Sequence, residues 1–239
     1  MEELQNKILD FFKALNFKEE GHQYLVEDLP IKISVSGLIK QYKFPTNWDE
    51  VKRNVARARG ISVEDVSAEW QAAADLGCEI GTETHLFGEN YVFNQELKHT
   101  TGYQEALVKF WKDLPEYIVP LLLEVKMYHK DYMFAGTADI LLYNTISGKI
   151  YIADYKTNKD LFKNFKGQKM TGPFSHLLCS PFNHYQLQLS YYQILLEQIL
   201  DIKVSGRKII WLKPDGEYEL YNLDDYTQEL KSELKLKGI

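Results

Sequence analysis

Between Phe134 and Thr157 the chain carries two apolar runs interrupted by two aspartates and a lysine. Phe134-Ala-Gly-Thr-Ala-Asp139-Ile and Tyr151-Ile-Ala-Asp154-Tyr-Lys156-Thr157 read as two β-strands joined by a turn over 144–149. Ser147-Gly148 supplies the turn chemistry. Side chains alternate along a strand, so Ile150, Ile152, Asp154 and Lys156 project from one face. The isoleucines suit a core, and beyond them an anion and a cation stand side by side. Burying such charges unpaired is costly, so a metal ion, a phosphate or solvent is expected there.

A chain of 239 residues is long enough for one large domain or two small ones, and its composition is that of a folded soluble protein. No apolar run approaches the roughly 20 residues of a membrane span, and Met1-Glu-Glu-Leu-Gln-Asn-Lys7 lacks a signal peptide's basic and apolar regions. Cys78 and Cys179 are too few for a disulfide framework or a four-cysteine cluster, which points to a reducing cytoplasm. The net charge of −6 argues against non-specific coating of nucleic acid, but leaves room for a local basic groove.

Taken in order, residues 3–15 have helical spacing, and Gln23 to Glu27 and Ile31 to Val35 read as short strands. Ser36 is read as the N-cap of a short helix, and Asp49 to Arg59 as a helix ending at Gly60. That helix carries Lys52, Arg53, Arg57 and Arg59, which suit either a solvated face or phosphate contacts. Ser62-Val-Glu-Asp65 has the shape of a capping box. A helical pattern then runs to about Phe93, interrupted at Gly77, Gly81 and Gly88. Gly77 and Gly81 permit close approach of a backbone or ligand, and His85 and Glu89 follow at one-turn intervals. His85 reads either as an ordinary polar residue or as a ligand.

Thr101 to Lys112 is a further helix, and Val119 to His129 an apolar strand bearing Glu124, which is either a solvent-side residue or part of a site. Residues 158–181 form a long connection with Lys159, Lys163, Lys166 and Lys169 against Asp160. A solvated loop or the passage of a polyanion accounts for it. Phe182 to Leu200 is the strongest helix, with Gln188 and Tyr192 four apart on one face. Strands at Arg207 to Lys213 and Tyr218 to Tyr221 and a helix at Asp224 to Lys237 complete the chain. This order predicts an α/β domain with a central mixed sheet flanked by helices.

Asp139 and Asp154 on neighbouring strands suit oxygen coordination of a hard divalent cation, with His85 and the Tyr155 carbonyl as further donors. The mixed set fits Mg²⁺ or Mn²⁺. Such an ion acidifies a bound water and neutralises phosphoryl charge, and Lys156 could orient the water or stabilise the transition state. That is equipment for phosphodiester hydrolysis.

Gly136-Thr-Ala-Asp139 followed by Asp154-Tyr-Lys156-Thr157 resembles the paired motif of the PD-(D/E)XK nuclease superfamily. Gly81-Thr-Glu-Thr-His85 and Gln188-Leu-Ser-Tyr-Tyr192 resemble the histidine and Gln-X-X-X-Tyr motifs of its RecB-like exonuclease branch. Ser34-Val-Ser-Gly-Leu-Ile39 and the helix near Trp70 are similar to phage-type members related to the mitochondrial genome maintenance exonuclease. The resemblance implies a restriction-endonuclease-like core over residues 71–213, preceded by an N-terminal extension (1–70) and followed by a C-terminal strand and helix (214–239). It implies that His85, Asp139, Asp154 and the Tyr155 carbonyl bind the metal and that Lys156 is the catalytic lysine. Glu124 would serve a second ion, while Gln188 and Tyr192 would shape the site or contact DNA. Lys159 and Lys163 lie in the segment expected to meet it. The iron–sulfur cluster of some branch members is not expected, and Ala138 replaces the motif's usual proline.

The expected activity is a Mg²⁺/Mn²⁺-dependent DNA exonuclease working from ends or single-stranded regions in a bacterial or phage-infected cytoplasm, with no membrane partner. A flap or branch endonuclease, a silent DNA-end-binding module, and a protein with a merely structural Asp154–Lys156 pair are the competing readings. A silent module would be expected to have lost a carboxylate or the lysine, and all are present here.

Overall fold

The computed structural model describes residues 1–18, 21 and 23–237. The elements run α1 (Glu2–Phe12), β1 (Leu15–Lys18), β2 (Gln23–Val26), β3 (Leu29–Pro30), β4 (Ile33–Ser34), α2 (Val35–Lys40), α3 (Trp48–Arg59) and α4 (Val63–Phe93). They continue with α5 (Gly102–Asp113), β5 (Ile118–Tyr128), β6 (Phe134–Asn144), β7 (Ile150–Lys156), α6 (Pro181–Leu196), β8 (Val204–Leu212), β9 (Tyr218–Asn222) and α7 (Thr227–Lys237). A six-stranded sheet has the order β4-β6-β7-β8-β9, with β5 on the other edge of β6. β4–β6 and β7–β8 are parallel and the remaining pairs antiparallel. A small antiparallel sheet, β1-β2-β3, stands apart. The architecture is a mixed α/β fold with a central mixed sheet flanked by helices.

The alternation in β7 sorts the core into two layers. Ile150 and Ile152 pack with α1, α2, α6 and α7 on one face, and Ala153 and Tyr155 pack with α5 and the C-terminal end of α4 on the other. Helix α6 is buried along most of its length, because α2 and α7 cover the sides that the sheet does not. Gly136 lets it approach closely: a Cβ there would lie 2.7 Å from the Tyr192 ring and 3.0 Å from Val35.

Several local expectations are corrected. The N-terminal helix stops at Phe12, and Leu15 belongs to β1, whose partner strand supplies its hydrogen bonds. Ser34, not Ser36, caps α2, accepting from the Gly37 amide. Helix α4 is continuous through Gly77, Gly81 and Gly88. A glycine inside a helix costs only about 1 kcal/mol relative to alanine, which a 31-residue helix begun by a Ser62–Asp65 capping box tolerates. Gly88 earns its place by contact, since a Cβ would meet Leu107 at 2.8 Å and the Tyr155 ring at 3.0 Å. The long helix near the C-terminal end stops at Leu196, short of Leu200. Among the described residues no helix is long and apolar enough to cross a membrane.

Candidate metal and phosphodiester site

The site begins where two strands part. β6 and β7 pair from Tyr143↔Ile150 to Ile140↔Ala153, and the next position sets Asp139 against Asp154. Beyond that point β6 pairs instead with β4, at Phe134 and Ala135. Across the other edge of β6, Leu123↔Ile140 and Val125↔Ala138 bracket Glu124 opposite Asp139. Glu124, Asp139 and Asp154 therefore form one row across three strands spaced about 5 Å apart.

The row is held open by side-chain hydrogen bonding and backbone strain. The Tyr155 amide donates to Asp139 Oδ2 at 3.0 Å, so a carboxylate replaces the missing ladder acceptor. Glu124 has φ +47°, a left-handed conformation unusual for a non-glycine residue and worth of order 1–3 kcal/mol of strain. It reverses the strand's alternation, with Leu123 packing on the α5 side and Val125 on the α6 side.

Helix α4 lays His85 over this row. Its Nδ1 stands 3.3 Å from Asp139 Oδ2 and 4.0 Å from Glu124 Oε1, while Nε2 stands 3.1 Å from the Tyr155 carbonyl. Both ring nitrogens thus face oxygens, yet a neutral imidazole has one N–H. Whichever tautomer is present, one nitrogen lone pair points at an oxygen unless a second proton or a cation lies between them. Donor atoms of His85, Glu124 and Asp139 all lie within 4.8 Å of one another. One nitrogen and two carboxylate oxygens at that spacing fit a hard divalent cation.

Asp154 is placed differently from the other acids. It is buried and ion-paired with Lys156, outside the group formed by His85, Glu124 and Asp139. Burial and then Asp139 push its carboxyl up, and Lys156 opposes them. Burial works to lower the Lys156 ammonium, but Asp154 and Asp139 outweigh it and leave the pKa raised, so this lysine is held charged. Lys156 Nζ also lies 4.6 Å from the centre of the Tyr185 ring, and the Tyr185 hydroxyl donates to Asn158 Oδ1 at 2.8 Å. At the half-buried Glu124, burial, then Asp139, Glu89 and Asp154, push the carboxyl up to about 8.

Gln188 and Tyr192 meet each other, Gln188 Nε2 donating to the Tyr192 hydroxyl at 2.8 Å. Tyr192 is buried with its ring against Gly136, and after burial it is Asp154 and Asp139 that raise its hydroxyl. The Tyr155 side chain turns to the opposite face and accepts from Trp111 Nε1 at 2.6 Å. Two depressions meet at His85. One of about 730 Å³ is lined by Gly77, His85, Lys156, Lys159 and Tyr185. The other, about 890 Å³, is lined by Glu89, Glu124 and Lys126, and the two share Cys78, Gly81 and His85. Lys163 lies elsewhere, in a separate depression with Trp48 and Trp70.

Tyr185 and Trp111 escaped the sequence reading. Tyr185 lies three residues before Gln188, a helical interval that placed it on the same face. Trp111 carried no signal beyond an apolar helix position. No protein-family model matches the chain, and no curated protein matches it. A solved structure described as "Crystal structure of SSO0001" is similar over 99% of this chain and 83% of that one, with 16% identity and a TM-score of 0.38.

Proposed function

We propose that this chain is a Mg²⁺- or Mn²⁺-dependent deoxyribonuclease with a restriction-endonuclease-like core, of the RecB-like branch of the PD-(D/E)XK superfamily. It degrades DNA from ends or single-stranded regions. The observation that carries this reading is the row Glu124–Asp139–Asp154 with His85 above it and the charged Lys156 beside it. The donor chemistry fits a divalent ion, which His85, Glu124 and Asp139 would hold, with the Tyr155 carbonyl and Asp154 adjoining. When bound, that ion lowers the pKa of a water and neutralises phosphoryl charge.

The chain's own residues divide the remaining work. Lys156 is ion-paired with Asp154, which favours its charged form. Its role is to orient the attacking water and to stabilise negative charge building on the phosphoryl oxygens. Asp154 aims that ammonium on one side and the Tyr185 ring confines it on the other. Lys159 adds positive charge at the mouth of the cleft, where a phosphate backbone would approach.

End-labelled single- and double-stranded DNA, incubated with Mg²⁺ or Mn²⁺, tests the reading. Wild-type protein is expected to release labelled products, and Lys156→Ala to release them at least about a hundredfold more slowly. Indistinguishable wild-type and variant reactions would refute the assignment. A circular single strand separates the two nuclease modes, because an exonuclease leaves it intact and an endonuclease opens it.

A further inference from the structure

Away from the acidic row, α3 and the connection after β7 present large apolar rings to solvent beside the half-buried Trp70 of α4. Trp48 is 60% exposed and Phe165, in the connection after β7, is 51% exposed. Trp48 and Trp70 meet edge to face with ring centres 6.1 Å apart. With Val51, Ala73, Lys163 and Phe165 they line a depression of about 460 Å³. Clustered aromatic surface of this kind is what interaction sites use.

Two features connect the depression to the cleft. Ala73 lines both, and α4 runs without a break from Trp70 to His85. The fifteen steps between them span about 22 Å at 1.5 Å per residue, or about six nucleotides of a stacked strand at 3.4 Å each. The lysine-bearing segment after β7 also reaches both places, putting Lys159 at the cleft and Lys163 at the depression. Lys166 stands next to it, with Nζ 5.2 Å from the centre of the Phe165 ring. The α3 side contributes Glu50 to the adjoining surface, and the loop contributes Lys166.

We propose that Trp48, Trp70 and Phe165 form a base-docking subsite for a single DNA strand whose backbone continues along α4 into the His85–Lys156 cleft. The identity of that strand rests on the nuclease reading above. Ring faces flanked by lysines match the combination of stacking platform and phosphate-tracking charge that holds unpaired strands. A duplex keeps its base faces stacked away from such rings, so an unpaired strand is the occupant.

The test compares a single-stranded oligodeoxynucleotide about a dozen nucleotides long, within the span of known single-strand sites, with an abasic strand of equal length. Both are titrated against full-length Lys156→Ala protein, with and without Trp48→Ala/Trp70→Ala. The tryptophan changes are expected to weaken binding of the base-bearing strand about tenfold or more and to leave the abasic strand unaffected. Trp48→Phe/Trp70→Phe retains aromatic faces and should recover most of the loss, which separates stacking from misfolding. No change, or an equal loss for both strands, overturns the subsite. So does a wild-type dimer that the alanine changes convert to monomer while DNA affinity holds, since the patch would then join two copies of the chain. Wild-type cleavage of DNA with tryptophan-independent binding sinks the subsite alone, whereas absence of both DNA binding and cleavage sinks the nuclease reading with it.

Discussion

The Tyr155 backbone amide donates to the Asp139 carboxylate at 3.0 Å, one position past the last β6–β7 ladder pair, Ile140↔Ala153. A buried amide must find an acceptor somewhere. By providing one from a side chain, Asp139 lets the two strands diverge without leaving that donor unsatisfied. The same carboxylate faces His85, so a structural bond and a candidate ligand share one group.

Asp139→Ala and Asp139→Asn should therefore separate. The alanine variant leaves the amide without its partner and should lose about 1–3 kcal/mol of stability. The asparagine variant keeps an acceptor oxygen and should stay near wild type, yet lose metal-dependent DNA cleavage along with the negative charge. Urea denaturation of both variants, paired with the nuclease assay, checks this. Equal destabilisation by the two changes would show that the acceptor role is unimportant.

Glu124 makes the metal-free protein sensitive to pH. Its carboxyl is pushed up to about 8 in the folded chain, chiefly by burial and then by Asp139, Glu89 and Asp154, from an ordinary value of 4.5. A folded pKa above the unfolded one means that the folded state binds the proton more tightly. The associated stability is fully present below about 4.5 and lost as pH rises through about 8. Asp154 is shifted in the same direction and adds to the slope. Thermal melts without divalent ions should fall between pH 5 and 8, less steeply for Glu124→Gln, and Mg²⁺ or Mn²⁺ should raise the wild-type melt most at the alkaline end. Superimposable profiles for wild type and variant would contradict the raised carboxyl.

Tyr185 is predicted to position Lys156 through its ring. Cation–π contacts of this kind are worth about 0.5–2 kcal/mol, so Tyr185→Ala should lower kcat about two- to thirtyfold with a smaller change in KM. Tyr185→Phe keeps the ring and loses only the bond to Asn158, and should retain most of the activity. If phenylalanine is as damaging as alanine, the hydroxyl rather than the ring is what matters.

Much of the framework was legible in the sequence because it depends on local rules. The capping box at Ser62, the left-handed Gly60 that ends α3, the turn before Ile150 and the alternation of β7 each depend on a few neighbouring residues. Readings failed where a distant partner intervened. Leu15 has a helical interval behind it but joins a strand because β2 offers hydrogen bonds. α4 ignores three glycines because Leu107 and Tyr155 pack against one of them and the capping box starts it firmly.

The candidate site divides along the same line. By itself the sequence determined which chemistry-bearing residues exist and how far apart two of them stand, since Asp139 and Asp154 are separated by fifteen residues across a readable turn. Glu124 precedes Asp139 by the same interval, but that equality became meaningful only when β5 and β7 were found on opposite edges of β6. The alternation of β7 already set Asp154 beside Lys156, but tertiary structure alone decided that Glu124, rather than Asp154, joins His85 and Asp139. It also decided that Tyr185 covers the lysine and that Glu124 holds a left-handed backbone. Each of these depends on strands and helices far apart in the chain closing around one cleft, where burial sets the cost of every charge and the nearest opposite charge sets how that cost is offset.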